Sequence, residues 1–416
     1  MTGMDAPAAP GPVPGRAGTA REVLLVFARL GLTSFGGPVA HLGYFHEAFV
    51  VRRRWLSEAQ YADLVALCQF LPGPASSQVG MAIGLQRAGL RGLLAAWAAF
   101  TLPSAVLMVA VAAGVGALGV DAGAGWLLGL KAAAAAVVAH AMITMARSLA
   151  PDAPRASIAA LAMILVLLIP GPFVQVAAIV AAGLVGVALL GREDAEPGDA
   201  TPEAAAGSSP APPGSRRLAL GALVAFAVLI LGLPLLAAAT GEPSLRLADV
   251  MYRAGALVFG GGHVVLPLLE TGTVQTGMVD EQTFLAGYGA AQAVPGPLFT
   301  LSAFLGFSAG GGAGGPVGAA IALGAMFLPG ALLVIGALPF WERLRSAPRA
   351  RRALRGTNAA VVGILAAALY DPVLTQGAAS PATLGLAVAA LVALMSWRVP
   401  AWAVVLAAGT VGAIAL

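Results

Sequence analysis

Residues 282–341 contain no Asp, Glu, Lys or Arg, and five further stretches share the property: residues 92–120, 156–191, 218–241, 372–397 and 399–416. About 20 apolar residues are enough for a helix to cross the hydrocarbon of a bilayer. A water-facing surface cannot be assembled from such segments. Soluble domains carry about 25% charged residues; this chain of 416 residues carries 10%, with 59% hydrophobic residues and a mean hydropathy of +0.88. In lipid, every backbone N–H and C=O must be paired within a helix or a closed barrel. The runs are rich in Ala, Leu and Val and lack the period-2 alternation of barrel strands. The expected fold class is an all-α integral membrane protein in the lipid bilayer.

Composition also narrows function. Cys68 is the only cysteine, which leaves no disulfide framework and no thiolate metal site. The net charge of +4 lies mostly in Arg clusters at helix ends, where it signals topology and not nucleic-acid binding. No P-loop, zinc motif or Ser/His pair stands in the apolar segments, so no enzyme, metal or cofactor is expected.

Residues 1–20 read as a disordered Pro/Gly-rich tail. Residues 191–217 read as a polar flexible linker, too poor in apolar residues to fold. On either side of the linker the sequence repeats. Arg29-Leu-Gly-Leu-Thr-Ser-Phe35-Gly36-Gly37 is answered by Arg253-Ala-Gly-Ala-Leu-Val-Phe259-Gly260-Gly261. Gln69-Phe-Leu-Pro72-Gly73-Pro74 is answered by Gln292-Ala-Val-Pro295-Gly296-Pro297. Phe100-Thr-Leu-Pro103 and Gly129-Leu-Lys131 find mates in Met326-Phe-Leu-Pro329 and Gly356-Thr-Asn358. One order and one register throughout mark a duplication, with repeats over 21–190 and 218–416.

The copies read as inverted. The loop before the first Pro-Gly-Pro is basic (Arg52, Arg53, Arg54), and the matching loop of the second copy is acidic (Glu270, Asp280, Glu281). Later the sense reverses: Asp121 in the first copy stands against Arg343, Arg345, Arg349, Arg351, Arg352 and Arg355 in the second. Cytoplasmic loops collect Lys and Arg, so an inverted-topology repeat is expected, as in many secondary transporters. Helical segments are expected near 21–36, 59–71, 75–89, 92–118, 124–148, 156–169 and 172–190. In the second copy they are expected near 218–239, 246–260, 283–294, 298–310, 316–340, 352–370, 379–396 and 399–415. Those flanking each Pro-Gly-Pro are too short to span and suggest broken, re-entrant helices.

Pro-Gly-Pro cannot sit in a continuous helix, and irregular backbone at membrane depth must be buried in protein or line a cavity. Each break starts a half-helix whose N–H groups and dipole favour an anion. Ser76, Ser77 and Gln78 after the first break, and Thr300 after the second, add donors; Gln69 and Gln292 precede the breaks. A kink that serves packing alone is the competing reading. The Phe35-Gly36-Gly37 and Phe259-Gly260-Gly261 elements allow close backbone approach or simply end a helix. Arg29 and Arg253 suit a tetrahedral oxyanion or snorkel to the interface. Lys131, the only lysine, and its mate Asn358 are either path-lining groups or interfacial anchors. Asp63 is a candidate for carrying a coupled proton. His41, His46 and Glu47 lack metal-ligand spacing.

These residues carry a resemblance. Gly31-Leu-Thr-Ser-Phe-Gly-Gly-Pro38, Trp55-Leu-Ser-Glu58, the two Pro-Gly-Pro elements and Phe259-Gly-Gly-Gly262 resemble the chromate transporter (chromate ion transporter) family, in its long two-domain form, over nearly the whole chain. The resemblance implies chromate efflux and chromate resistance at the inner (plasma) membrane, with sulfate as a related or competing oxyanion. A homodimer is left open. An anion channel or a structural membrane protein is the alternative. The second half departs from the pattern, with Gly262 for Pro38 and Val279-Asp-Glu-Gln282 for the Trp-Leu-Ser-Glu element, so one half alone is able to supply some ligands.

Overall fold

The computed structural model describes residues 18–34, 37–117, 125–169, 172–190, 215–258, 265–341, 347–375 and 378–416. Among these the chain is helical without strands, and its sixteen α-helices fall into two matching series. The first runs α1 (Ala20–Thr33), α2 (Gly37–His46), α3 (Glu58–Phe70), α4 (Ala75–Ala117), α5 (Gly125–Leu149), α6 (Ala153–Leu168) and α7 (Pro172–Leu189). An extra helix, α8 (Ser215–Thr240), precedes the second. That series is α9 (Pro243–Leu257), α10 (Val265–Thr273), α11 (Glu281–Ala293), α12 (Leu301–Ser308), α13 (Gly315–Ala337), α14 (Pro348–Ala368), α15 (Pro381–Met395) and α16 (Ala401–Ala415). The short helices α2 and α10 are absent from the sequence expectation, and each carries a Pro in its first turn, Pro38 and Pro267. Pro is well placed in a first helical turn, where its missing N–H costs nothing.

Side chains set the helix starts. Ser57 and Gln60 form a capping box on α3, and the Asp280 carboxylate accepts from Thr283 N at the start of α11. The half-helix after the first break is the first limb of α4. It doubles back at Ala88–Gly89, where Gly89 takes φ 62°. A Cβ on Gly84 would strike the Gly92 carbonyl, so two bare backbones meet in this hairpin. The second copy makes the same hairpin from α12 and α13, with Gly306 against the Gly318 carbonyl.

By length and composition, Ala75–Val115, Gly125–Arg147, Arg216–Thr240, Gly315–Phe340 and Pro348–Asp371 can cross a membrane. Outward faces are apolar: Leu168, Leu189, Leu235 and Ile414 are 75%, 74%, 71% and 82% exposed. That is a lipid-facing surface, because water would penalise each of these side chains by about 1.5–3 kcal/mol relative to burial.

The terminal helix pairs are exchanged between the copies. The α6–α7 pair packs on α14 of the second half, and α15–α16 pack on α5 of the first. A Cβ on Gly129 would strike the Ala408 carbonyl, and one on Gly356 the Ala182 carbonyl. These two crossings are the same crossing made twice, through small residues that let backbones touch.

The inverted charge pattern gives an expected topology, with Arg53 and Arg351 on the cytoplasmic face and Asp280 outside. Cys68 is buried, so single-cysteine variants in a Cys68→Ser background report sidedness to an impermeant maleimide. Labelling of positions 53 and 280 from one side would overturn the inversion. Asp121, Arg343 and Arg345 lie outside the described residues, as do residues 1–17 and 191–214.

Candidate functional site

Gly73 and Gly296 hold φ +128° and +96°, a region that L side chains rarely adopt. Their amides reach across the molecule. Gly73 N–H donates to the Val258 carbonyl (2.7 Å), and Gly296 N–H donates to the Ser34 carbonyl (2.8 Å). Val258 and Ser34 cap α9 and α1, so each break closes the C-terminal end of the other half's early helix. The central glycine amide of each break is therefore already a donor to protein. The open donors lie one turn on. The amides of Ala75, Ser76 and Ser77 stand in the first turn of α4, where no helical carbonyl reaches them.

Each break also rests on the long helix of the opposite half. Pro74 and Gln78 lie against Gly330 of α13, and Gly296 lies against Ser104 and the Phe100 carbonyl of α4. The two long helices meet where the Trp97 and Phe327 rings stand 6.1 Å apart. Gly31 of α1 packs on the Ala99 and Phe100 carbonyls, as Gly255 of α9 packs on Met326. The pseudo-twofold relation extends to individual backbone contacts.

Polarity does not follow the symmetry. In the first half, Ser34, His41, Ser76, Ser77, Gln78 and Thr101 are all buried. His41 Nδ1 lies 3.3 Å from Ser76 Oγ, and Gln78 Nε2 donates to the Pro72 carbonyl at 2.9 Å. Ser34 Oγ, His41 Nε2, Ser77 Oγ, Gln78 Oε1 and Thr101 Oγ1 are buried without a hydrogen-bond partner. A buried polar group left unpaired costs about 1–3 kcal/mol, so five such atoms in one half are a strong sign of a polar guest. In the second half Val258, Val265, Phe299, Leu301 and Phe327 stand in the places of Ser34, His41, Ser76, Gln78 and Thr101 in the repeat register. Thr300 satisfies itself on the Pro297 carbonyl (2.9 Å).

The remaining candidates are dispersed. Arg29 is exposed on the face of α1 that carries Leu25 and Leu32, opposite the buried Val23, Val26 and Phe27. Arg253 is half-buried and its Nη2 lies 2.5 Å from Asp249 Oδ2, so its charge is met within its own helix. Gln69 is exposed; Gln292 is half-buried, in hydrogen-bond contact with Tyr288. Lys131 is buried, with Asp280 and Glu281 as its charged neighbours. Its chain neighbour Leu130 packs on Gly289 in the later part of α11. Asn358 is half-buried on α14, as is Asp63 on α3. Phe35, Gly36, Phe259, Gly260 and Gly261 lie outside the described residues, and Gly37 opens α2. Sequence reading left Ser34, His41 and Thr101 out of the site. A comparison of polarity between the aligned halves would have singled them out, since each has an apolar mate.

A family model described as "Chromate transporter" matches residues 21–187 and 245–413. The chain is 29% identical over 359 residues to a "Probable chromate transport protein" of Synechococcus elongatus, covering 84% of this chain and 83% of the relative. It is 28% identical over 398 residues to a "Chromate transport protein" of Pseudomonas aeruginosa (93% and 90%). A third relative, a "Chromate transport protein" of Cupriavidus metallidurans, is 28% identical over 363 residues (84% and 82%). No solved structure shows significant similarity.

Proposed function

Because the chain belongs to the chromate transporter family, we propose that it is a secondary transporter of tetrahedral oxyanions, exporting chromate from the cytoplasm across the inner (plasma) membrane. Sulfate, with the same shape and charge, is the expected competitor. The observation that carries this reading is the set of unpartnered buried groups of the first half. The hydroxyls of Ser34, Ser77 and Thr101, the imidazole of His41 and the first-turn amides of α4 are all neutral donors. A helix N-terminus adds favourable potential for an anion, equivalent to about half a positive charge. Neutral donors suit a carrier. They replace the water that a dianion gives up without holding it as a ring of Arg would, and a carried ion must leave again.

Chromate flux into proteoliposomes tests the proposal. Transport should saturate, and sulfate should compete. The double variant Ser77→Ala/Thr101→Val should raise the half-saturation concentration by about tenfold, the worth of one or two neutral hydrogen bonds. Flux that rises linearly with concentration would identify a channel. Unchanged half-saturation in the double variant would move the anion site elsewhere.

A further inference from the structure

A second polar chamber lies between the halves, apart from the breaks. Its volume is about 120 Å³, and Gln175 of α7, Glu270 and Thr271 of α10, Gln275 and Asp371 line it. The rest of its wall is apolar side chains of α6 and α14 together with Pro267. Gln175 is only 5% exposed. Its Nε2 donates to Thr271 Oγ1 (2.8 Å) and to the Pro267 carbonyl (3.3 Å), while its Oε1 is buried and receives no hydrogen bond. Glu270 Oε2 has Thr271 Oγ1 at 3.4 Å and Gln275 Nε2 at 3.5 Å, both long contacts. Asp371 Oδ1 accepts from Thr375 at 3.0 Å. The chamber thus holds two carboxyl groups and an amide oxygen that no protein donor meets.

Among the described residues, no cation acts directly on Glu270. The charged groups that act on Glu270 are Glu281 of α11 and Asp371, both acidic. Lys131 of α5 acts on Glu281 and is shared with Asp280. The lining residues of α6 and α14 carry no charge. The first copy resolves the same position differently. In the repeat register His46 stands where Glu270 stands, Glu58 where Glu281 stands and Thr144 where Asp371 stands. There His46 Nε2 lies 2.8 Å from Glu58 Oε2. The first half carries its own proton-bearing donor; the second replaces it with a carboxyl group.

We propose that this chamber is a proton-binding site that couples the carrier to a pH gradient, with Glu270 holding the exchangeable proton against Asp371 and the Gln175 carbonyl oxygen. On binding, the Glu270 carboxylate and a proton become the carboxylic acid, whose O–H supplies the donor that Gln175 Oε1 lacks; release reverses the step. Burial and the two acidic neighbours push the Glu270 carboxyl up to about 7, so the proton is held below neutral pH and given up above it. The acidic lining of the chamber repels an oxyanion. The coupling role rests on the transport reading; the protonation chemistry does not.

Infrared titration of the full chain in lipid, without chromate, reads the site directly. A carboxylic-acid C=O band should disappear as the pH rises through about 7. It should be absent from Glu270→Gln, displaced in pH in Glu270→Asp, and retained in Glu58→Gln. In proteoliposomes an imposed pH gradient should accelerate chromate flux, and Glu270→Gln should lose the acceleration. Three results would overturn the proposal: the band persists in Glu270→Gln; sodium removes it at fixed pH, which makes the chamber a sodium site; or Asp63→Asn abolishes the gradient response while Glu270→Gln keeps it. A chain that moves no chromate at all would refute the transport reading, and the infrared arm would still decide the proton site.

Discussion

Gly296→Val is expected to abolish chromate flux while the chain still inserts in the membrane, and Gly73→Val is expected to do the same. At φ +96° and +128° a β-branched residue pays about 1–3 kcal/mol in backbone strain. At Gly296 the new Cβ also lands on Ser104 Oγ, with the Phe100 carbonyl 3.4 Å away, and overpacking of this kind costs about 1–3 kcal/mol more. The backbone relieves both by moving, which breaks the bond from Gly296 N–H to the Ser34 carbonyl. At Gly73 the Cβ meets Gln78 Nε2 at 2.8 Å and drives that side chain off the Pro72 carbonyl. Flux in proteoliposomes, normalised to inserted protein, checks both. Ser104→Gly should recover part of the Gly296→Ala defect, because it removes the clash and leaves the strain. Normal flux in both Val variants would show that neither break shapes the path.

The exchange of terminal helices leads to the second large effect. Residues 1–200 expressed alone should fail to accumulate as folded protein, and so should residues 201–416; expressed together they should assemble. Alone, the first half leaves the α5 face of Ala133, Ala136 and Val137 without Val404, Val405 and Ala408 of α16. Its own α6–α7 pair loses the α14 residues Ala359, Ala360 and Ile364. In a bilayer this loss is one of packing and of small-residue backbone contact, not of hydrophobic burial. Co-purification of a tagged first half with an untagged second half is the measurement. A monodisperse, protease-resistant first half on its own would mean that the exchanged contacts contribute little.

Much of the architecture was legible because it is written in residue types with few alternatives. Charge-free runs have to be membrane helices, Pro-Gly-Pro has to break one, and a constant register between copies has to be a duplication. The partners of those features were not legible. Gly129 and Gly356 announce only that something approaches closely, and nothing local says that α16 approaches one and α7 the other. Arg29 and Arg253 looked equivalent, yet Asp249 sits one turn before Arg253 and Leu25 one turn before Arg29, so one is paired and the other faces outward. The site residues Ser34, His41 and Thr101 were hidden because polar side chains in helices have many ordinary uses. Their significance lies in being buried together with nothing to bond.

The crossed hydrogen bonds of the two breaks have a mechanical consequence. Rocking one repeat against the other, the motion expected for an inverted repeat, would tear Gly73 from Val258 and Gly296 from Ser34 at every stroke, together with the exchanged terminal pairs. A cycle that spares these contacts must hinge elsewhere. The tip of α1 then travels with the second break, and the tip of α9 with the first. The levers of such a machine are chimaeras of both copies, and a ruler placed between residues 34 and 296 should read the same length at every point of the cycle.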